Sequence, residues 1–409
     1  MTKNTSYIPP KKILERYADV LVNFALNDGK GIKKDDTVYL VIPECAKPLL
    51  VELKKTILKA GGNIILDYRP SDDKDFKLSK DFYDNANDKQ LNFFPAKYMR
   101  GLIDDADHKM FIISEYDKHS LKDVDPKKIM THNLAFKPFK DWQGKKESTG
   151  KFTWTVALYG TSAMAKEVKL SEEEYWDQII KACFLNESNP IKKWKEVFSK
   201  IEQTKKKLNK LKIDKLHIKG SDVDLMIKVG GKRRWIGGGG SNIPSFEVFM
   251  SPDWREAEGC VKFSQPLYSY GNLIEDIELE FKNGVVVKSK AKKGERVLKR
   301  MIEVKNADKI GEFSLTDNRF SKITKFMAET LYDENTGGLH GNFHIALGSS
   351  YHDSYDGDAS KLSKKDLLNL GFNDSSVHAD IVSTTSRVVT AHLKSGKQKI
   401  IYKNGKFSI

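Results

Sequence analysis

A chain of 409 residues is too long to gather around one ordinary core, so two domains are expected. Its 39% hydrophobic and 31% charged residues exclude a disordered chain, and no apolar run reaches the roughly 18 residues of a membrane span. The net charge of +14 admits a nucleic-acid partner, but the lysines are spread along the chain without interleaved aromatics, which argues against that class.

The first half alternates helix and strand. Residues 11–26 place Ile13, Leu14, Tyr17, Leu21 and Phe24 on one helical stripe. "DTVYLVIP" (36–43) predicts a buried strand, 47–61 a helix stopped by Gly61 and Gly62, and 63–70 and 108–116 further strands. Such a succession predicts a largely parallel sheet with crossover helices. No glycine fingerprint follows the first strand, so no dinucleotide site is expected. Ser171 and Glu174 form a capping box at the start of a helix over 171–185. "NESNP" breaks it, and a lysine-rich helix follows over 192–212. The boundary is placed there, giving an α/β domain over 1–187 and a β-rich α+β domain over 188–409. In the second half, short alternating segments are separated by glycine and asparagine, and "KNG" at 282–284 and 403–405 reads as two hairpin turns. "GGGG" (237–240) lacks the Lys-Ser/Thr helix start of a phosphate cradle; a flexible turn or close backbone approach fits better. Cys45, Cys183 and Cys260 are scattered and odd in number, and "MTKNTSYIPPKK" has no apolar signal core, so a cytoplasmic protein is expected.

Five histidines, His340, His344, His352, His378 and His392, fall late in the chain. "HGNFH" has helical spacing, but Gly341 stands where a zincin helix needs glutamate. Read as strands, four segments behave alike. "FEVFM" opposes Glu247 to Phe246, Val248 and Met250, and "IGEFSL" opposes Glu312 to Phe313 and Leu315. "FHIALG" opposes His344 to Phe343, Ile345 and Leu347, and "VHADIV" opposes His378 and Asp380 to Val377, Ala379 and Ile381. Imidazoles mixed with carboxylates suit zinc, cobalt or manganese, and five such groups suffice for a two-metal site. An acid or histidine opposite an apolar face is ordinarily just solvated, and periodicity does not separate these five from Glu303, Glu329 or His392.

At these residues the chain resembles the aminopeptidase T and aminopeptidase S family of thermophilic-type metallopeptidases. The matching stretches are "NIPSFEVF", "IGEFSL", "TLYDENTGG", "HIALGSSY" and "VHADIV", with further likeness in residues 16–43 and 161–177. The resemblance implies Glu247, Glu312, His344, His378 and Asp380 as ligands of two divalent ions (zinc, cobalt, manganese or magnesium). It implies Glu312 and Tyr351 as catalytic residues. It also implies a homodimer that removes N-terminal amino acids from short peptides with a free N-terminus. A metallopeptidase scaffold that binds peptides without cleaving them is the rival from another class. Phe246 and Ala379 depart from the family pattern, and "TGGLHGNF" is longer than the shorter family version.

Overall fold

The computed structural model describes residues 7–269 and 271–409. It divides into two compact units, one running to Phe198 with Gly239–Ser245 added, the other comprising Ser199–Gly238 and Phe246–Ile409.

In the first unit the strands β1 (Thr37–Pro43), β2 (Asn63–Arg69), β3 (His108–Ile113), β4 (Thr153–Leu158) and β5 (Asn242–Ile243) form one parallel sheet in the order β2-β1-β3-β4-β5. Position in that order explains the sequence of each strand. β1 is flanked on both sides, and Val38, Leu40, Val41 and Ile42 are sealed from water. β2 is an edge and carries exposed Asn63 and Arg69. Each buried Val, Leu or Ile adds roughly 1.5–3 kcal/mol relative to exposure, which is why the uninterrupted apolar run occupies the flanked position. Helix α1 (Lys11–Val20) continues into a π-helical turn over Leu21–Ala25, and Tyr17, Leu21 and Phe24 are buried as the stripe predicts. Helix α2 (Lys47–Lys59) buries Leu49, Leu53 and Ile57. The capping box is present at helix α3 (Glu172–Ala182): Ser171 Oγ accepts from the Glu174 N–H, and the Glu174 carboxylate accepts from the Ser171 N–H.

The second unit is antiparallel throughout its two large sheets. An eight-stranded sheet runs from Val285–Lys290 at one edge, through Ile213–Gly220 and Arg387–Leu393, to Lys406–Phe407 at the other. Both "KNG" segments are its hairpin turns, with positive φ at Asn283 and Gly284 and at Asn404 and Gly405, the signature of a type I′ turn. A four-stranded sheet consists of β6 (Glu247–Met250), β7 (Ile310–Thr316), β8 (Asn342–Gly348) and β9 (His378–Ser383), in the order β9-β8-β7-β6. One of its faces is the apolar set expected from the alternation: Val248, Met250, Phe313, Leu315, Phe343, Ile345, Leu347 and Ile381 are all fully buried. Phe263 and Trp235 close over that face, with ring centroids 6.3 Å from Phe343 and 6.1 Å from Phe313.

Of the four glycines at 237–240, Gly237 bears on this sheet. It has φ +128°, and a Cβ there would stand 2.3 Å from the carbonyl oxygen of Glu247. Its neighbour Ile236 exchanges two backbone hydrogen bonds with Phe249. The glycine therefore permits close backbone approach to β6.

Candidate metal centre

The other face of the four-stranded sheet carries the polar residues, and register brings them together. Glu312 pairs with Ala346, and Ala346 with Asp380, so a methyl group on the central strand separates two carboxylates and leaves room between them. His344 pairs with Ser314, whose hydroxyl donates to Glu247 at 3.0 Å and fixes that side chain. Glu247, Glu312, His344, His378 and Asp380 thus meet on one face. That face is not open to solvent, however. Every residue of β7 and β8 is buried, and Glu247, Glu312 and His344 are 5%, 3% and 0% exposed. An apolar-polar alternation reports which residues share a face, not whether water reaches it.

Three sets of potential donors lie within 4.8 Å of one another: Glu247, Glu312 and His344; Glu312, His378 and Asp380; Glu334, His344 and Asp380. Glu312 belongs to the first two. Its Oε1 lies 3.2 Å from His344 Nε2 and its Oε2 lies 3.5 Å from His378 Nε2. His344 Nε2 also faces Glu247 at 3.3 Å and Asp380 at 3.9 Å, and His378 Nε2 lies 3.4 Å from Asp380. On the far side of its ring, His378 Nδ1 is 2.9 Å from the Ser349 carbonyl. That carbonyl accepts an Nδ1–H and leaves Nε2 as the ring atom aimed at the carboxylates, the one a metal-ligating imidazole would offer. His344 Nδ1 is buried without a hydrogen-bond partner.

Glu334 is the member that strand alternation missed. It caps the short helix Thr330–Asp333, and its carbonyl accepts from Asn342 Nδ2 at 2.8 Å and Thr316 Oγ1 at 3.3 Å, which ties it to β8 and β7. Its neighbours in "DEN" also hold the frame. Asp333 accepts from the N–H groups of Met327 and Glu329, and Asn335 Oδ1 accepts from Phe246 N–H at 2.6 Å, at the entry to β6. Because Glu334 lies on a helix end, a period of two could not identify it. His340 and His392 stand outside the three donor sets, as do Glu303 and Glu329.

The electrostatics are those of a site built for cations. Among the described residues, Glu247, Glu312 and Asp380 have only the two imidazoles as ion-pair partners. Burial pushes the Glu247 and Glu334 carboxyls up, and the charges of their acidic neighbours add to it. Burial opposes charge on His344, but hydrogen bonds to Glu247 and Glu312 outweigh it and raise this imidazole well above its ordinary value. His378 is raised in the same way, with Asp380 the strongest opposing influence, and Asp380 is lowered in return despite its own burial. His344 Nε2 can satisfy only one of the oxygens around it by hydrogen bonding. A divalent cation satisfies several at once and offsets the buried negative charge, so the donor set fits the group.

Tyr351 lies beyond β8 and places its ring over this face. The ring meets His378 edge-on at 4.9 Å and Phe249 at 5.6 Å. Burial raises its hydroxyl well above the usual phenol range, and Glu312 and Asp380 raise it further, which keeps it protonated and able to donate.

Sheet, donors and charge together define a candidate site for divalent metal, and comparison with known proteins gives the family. Residues 10–407 match the family described as thermophilic metalloprotease (M29). Aminopeptidase PepS of Streptococcus thermophilus is 29% identical, covering 98% of each chain. Aminopeptidase AmpS of Bacillus subtilis is 27% identical over 97% of this chain and 98% of its own. The solved structure of wild-type AmpT from Thermus thermophilus shares the fold, with a TM-score of 0.81 and 24% identity over 98% of this chain and 100% of that one. The chain belongs to the M29 family of thermophilic metalloproteases and is a metalloaminopeptidase by class.

Proposed function

We propose that this metalloaminopeptidase removes the N-terminal amino acid from short, unblocked peptides at a centre of two divalent ions. The observation that carries the reading is the position of Glu312, whose two carboxylate oxygens face two different imidazoles. Glu247 and His344 complete one side of the centre and His378 and Asp380 the other, with Glu334 joining His344 and Asp380. When bound, divalent ions polarise a carbonyl and lower the pKa of water toward neutrality.

The remaining work falls to the chain's own groups. A carboxylate accepts the proton of the attacking water and passes it to the leaving amine. Glu312 fills that role in the resemblance to the family, but both of its carboxylate oxygens already face imidazoles. Glu334 is the second carboxylate placed for the role. The Tyr351 hydroxyl, held protonated, donates to the oxyanion that develops on the scissile carbonyl. The buried acidic face suits a substrate's free ammonium end and disfavours an acylated one. The homodimer implied by the resemblance and the cytoplasmic setting expected from the scattered cysteines complete the reading; a light-scattering mass equal to one chain would remove the homodimer.

The test is release of free amino acid from matched unblocked and N-acetylated peptides, after chelation and again after adding zinc, cobalt, manganese or magnesium. Cleavage restored by metal and confined to unblocked peptides is expected. Glu312→Gln and His344→Ala should each abolish turnover in a folded protein. Absence of cleavage with every ion would leave a peptide-binding scaffold instead.

A further inference from the structure

The first unit holds a charged group that the peptide chemistry does not use. Lys109 stands in the middle of the parallel sheet, where register sets it between Tyr39 of β1 and Trp154 of β4. The helix Lys137–Ser148 lays Phe139 and Trp142 against the apolar cluster to which Tyr39 and Trp154 belong. The Lys109 ammonium lies 5.6 Å from the centre of the Phe139 ring. Among the described residues it has no hydrogen bond and no ion pair. The acid that acts on it, Asp67, is already engaged: it accepts from the Tyr39 hydroxyl at 2.8 Å and from Arg69 Nε and Nη2 at 3.1 and 2.8 Å.

A lysine so placed is costly as an ammonium, because it is desolvated without a counter-ion. Burial, with the charges of Arg69 and Lys140 adding to it, lowers the amine to about 8. At pH 7 on the order of a hundred times more of it is therefore neutral than of an ordinary lysine. The residue is half-buried rather than sealed, so a small uncharged molecule can reach it. The surroundings that disfavour a cation favour an anion in its place. Arg69 commits Nε and Nη2 to Asp67 and keeps Nη1 for another acceptor, and Lys140 brings a second positive charge.

We propose that Lys109 is a carbamate-forming site, at which carbon dioxide adds to the side-chain amine beside Arg69 and Lys140. The lone pair of the neutral nitrogen attacks the carbon of CO2, and an N–C bond forms. One C=O π pair moves onto its oxygen, and the nitrogen releases one proton to solvent. An amine and CO2 thus give a carbamate anion and a proton, and nothing is oxidised or reduced. The modification replaces an unpaired, desolvated lysine by an anion among cations. In solution free of CO2 the residue remains an amine.

In the experiment the full chain is equilibrated with bicarbonate, treated with triethyloxonium to convert carbamate to its ethyl ester, and digested for mass spectrometry. Wild type should carry the ethyl carbamate on the peptide containing Lys109. Its level there should be about tenfold or more above that on Lys74, whose side chain is 88% exposed. Protein equilibrated without bicarbonate should carry none. Arg69→Gln removes a donor to the new anion and frees Asp67 to hold the ammonium, so the Lys109 level should fall several-fold while that of Lys74 stays the same. Carbon-13 NMR under labelled bicarbonate reads the same adduct without trapping: a carbamate resonance of the wild type should be missing from Lys109→Arg. A label on Lys109 no higher than on Lys74, or carbamate spectra identical in wild type and Lys109→Arg, overturns the site.

Discussion

Glu334 and Glu312 are both buried glutamates beside His344, and the two oxygens of Glu312 face two different imidazoles. That placement makes their substitutions separable. Glu334→Gln removes one of four carboxyl groups from the site, so the protein should fold and should bind metal more weakly. If Glu334 carries the proton, kcat should fall about 10²–10⁴-fold, whereas a purely ligating role would be compensated by raising the metal concentration. Metal titration of the variant's activity distinguishes the two, and full rescue would return the proton to Glu312. The comparison also shows what was legible residue by residue. Strand alternation and the quoted motifs reached the five side chains on strands. Glu334 stood inside "TLYDENTGG", a stretch recognised as a match, but its place on a helix end gave no periodic signal. The run of three polar residues Asp333, Glu334 and Asn335, all buried, was the available clue, and burial is not written in a sequence.

At the level of elements, continuous apolar strands, the Ser171 capping box and two Asn-Gly turns could be read because each is enforced by local backbone chemistry. The environment of a charged residue within a strand could not. Lys109 lies in β3 beneath Phe139, its ammonium 5.6 Å from the ring centroid. Burial lowers this amine to about 8, and the nearby cations Arg69 and Lys140 add to the effect. The unfolded chain binds its proton up to roughly pH 10.4, whereas the folded chain gives it up near 8. Between those values the unfolded state holds more protons, so stability should rise with pH across that window. Below about pH 8 the ammonium is charged in both states and only the folded state bears the desolvation. Lys109→Met should therefore stabilise the protein on the order of 2 kcal/mol at pH 7 and by much less at pH 10. Denaturant melts at the two pH values check this, and an equal gain at both would assign the effect to packing.

The whole molecule adds what neither residues nor elements contain. Residues 239–245 leave the second unit's stretch of chain and supply β5 to the first unit's sheet, through only two residues, Asn242 and Ile243. A pairing so short and so distant in sequence leaves no pattern to read. The division also localises the cost of the metal centre. Glu247, Glu312, Glu334 and Asp380 all belong to the second unit, where mutual repulsion opposes folding until cations are present. An ion that binds only the folded state, at a thousandfold excess over its Kd, stabilises by about 4 kcal/mol. In a unit of this size that corresponds to roughly 10 °C in Tm. Chelation should lower the melting of the second unit by that order and leave the first unit's melting in place, so a calorimetric scan of the stripped protein should show two transitions. Restoring zinc, cobalt or manganese should return the lower transition upward. In Glu312→Gln the metal-dependent shift should shrink, since a residue common to two donor sets is lost. A stripped protein that melts at the same temperature as the loaded one would mean that the carboxylates satisfy one another through shared protons, and that the centre does not depend on metal to fold.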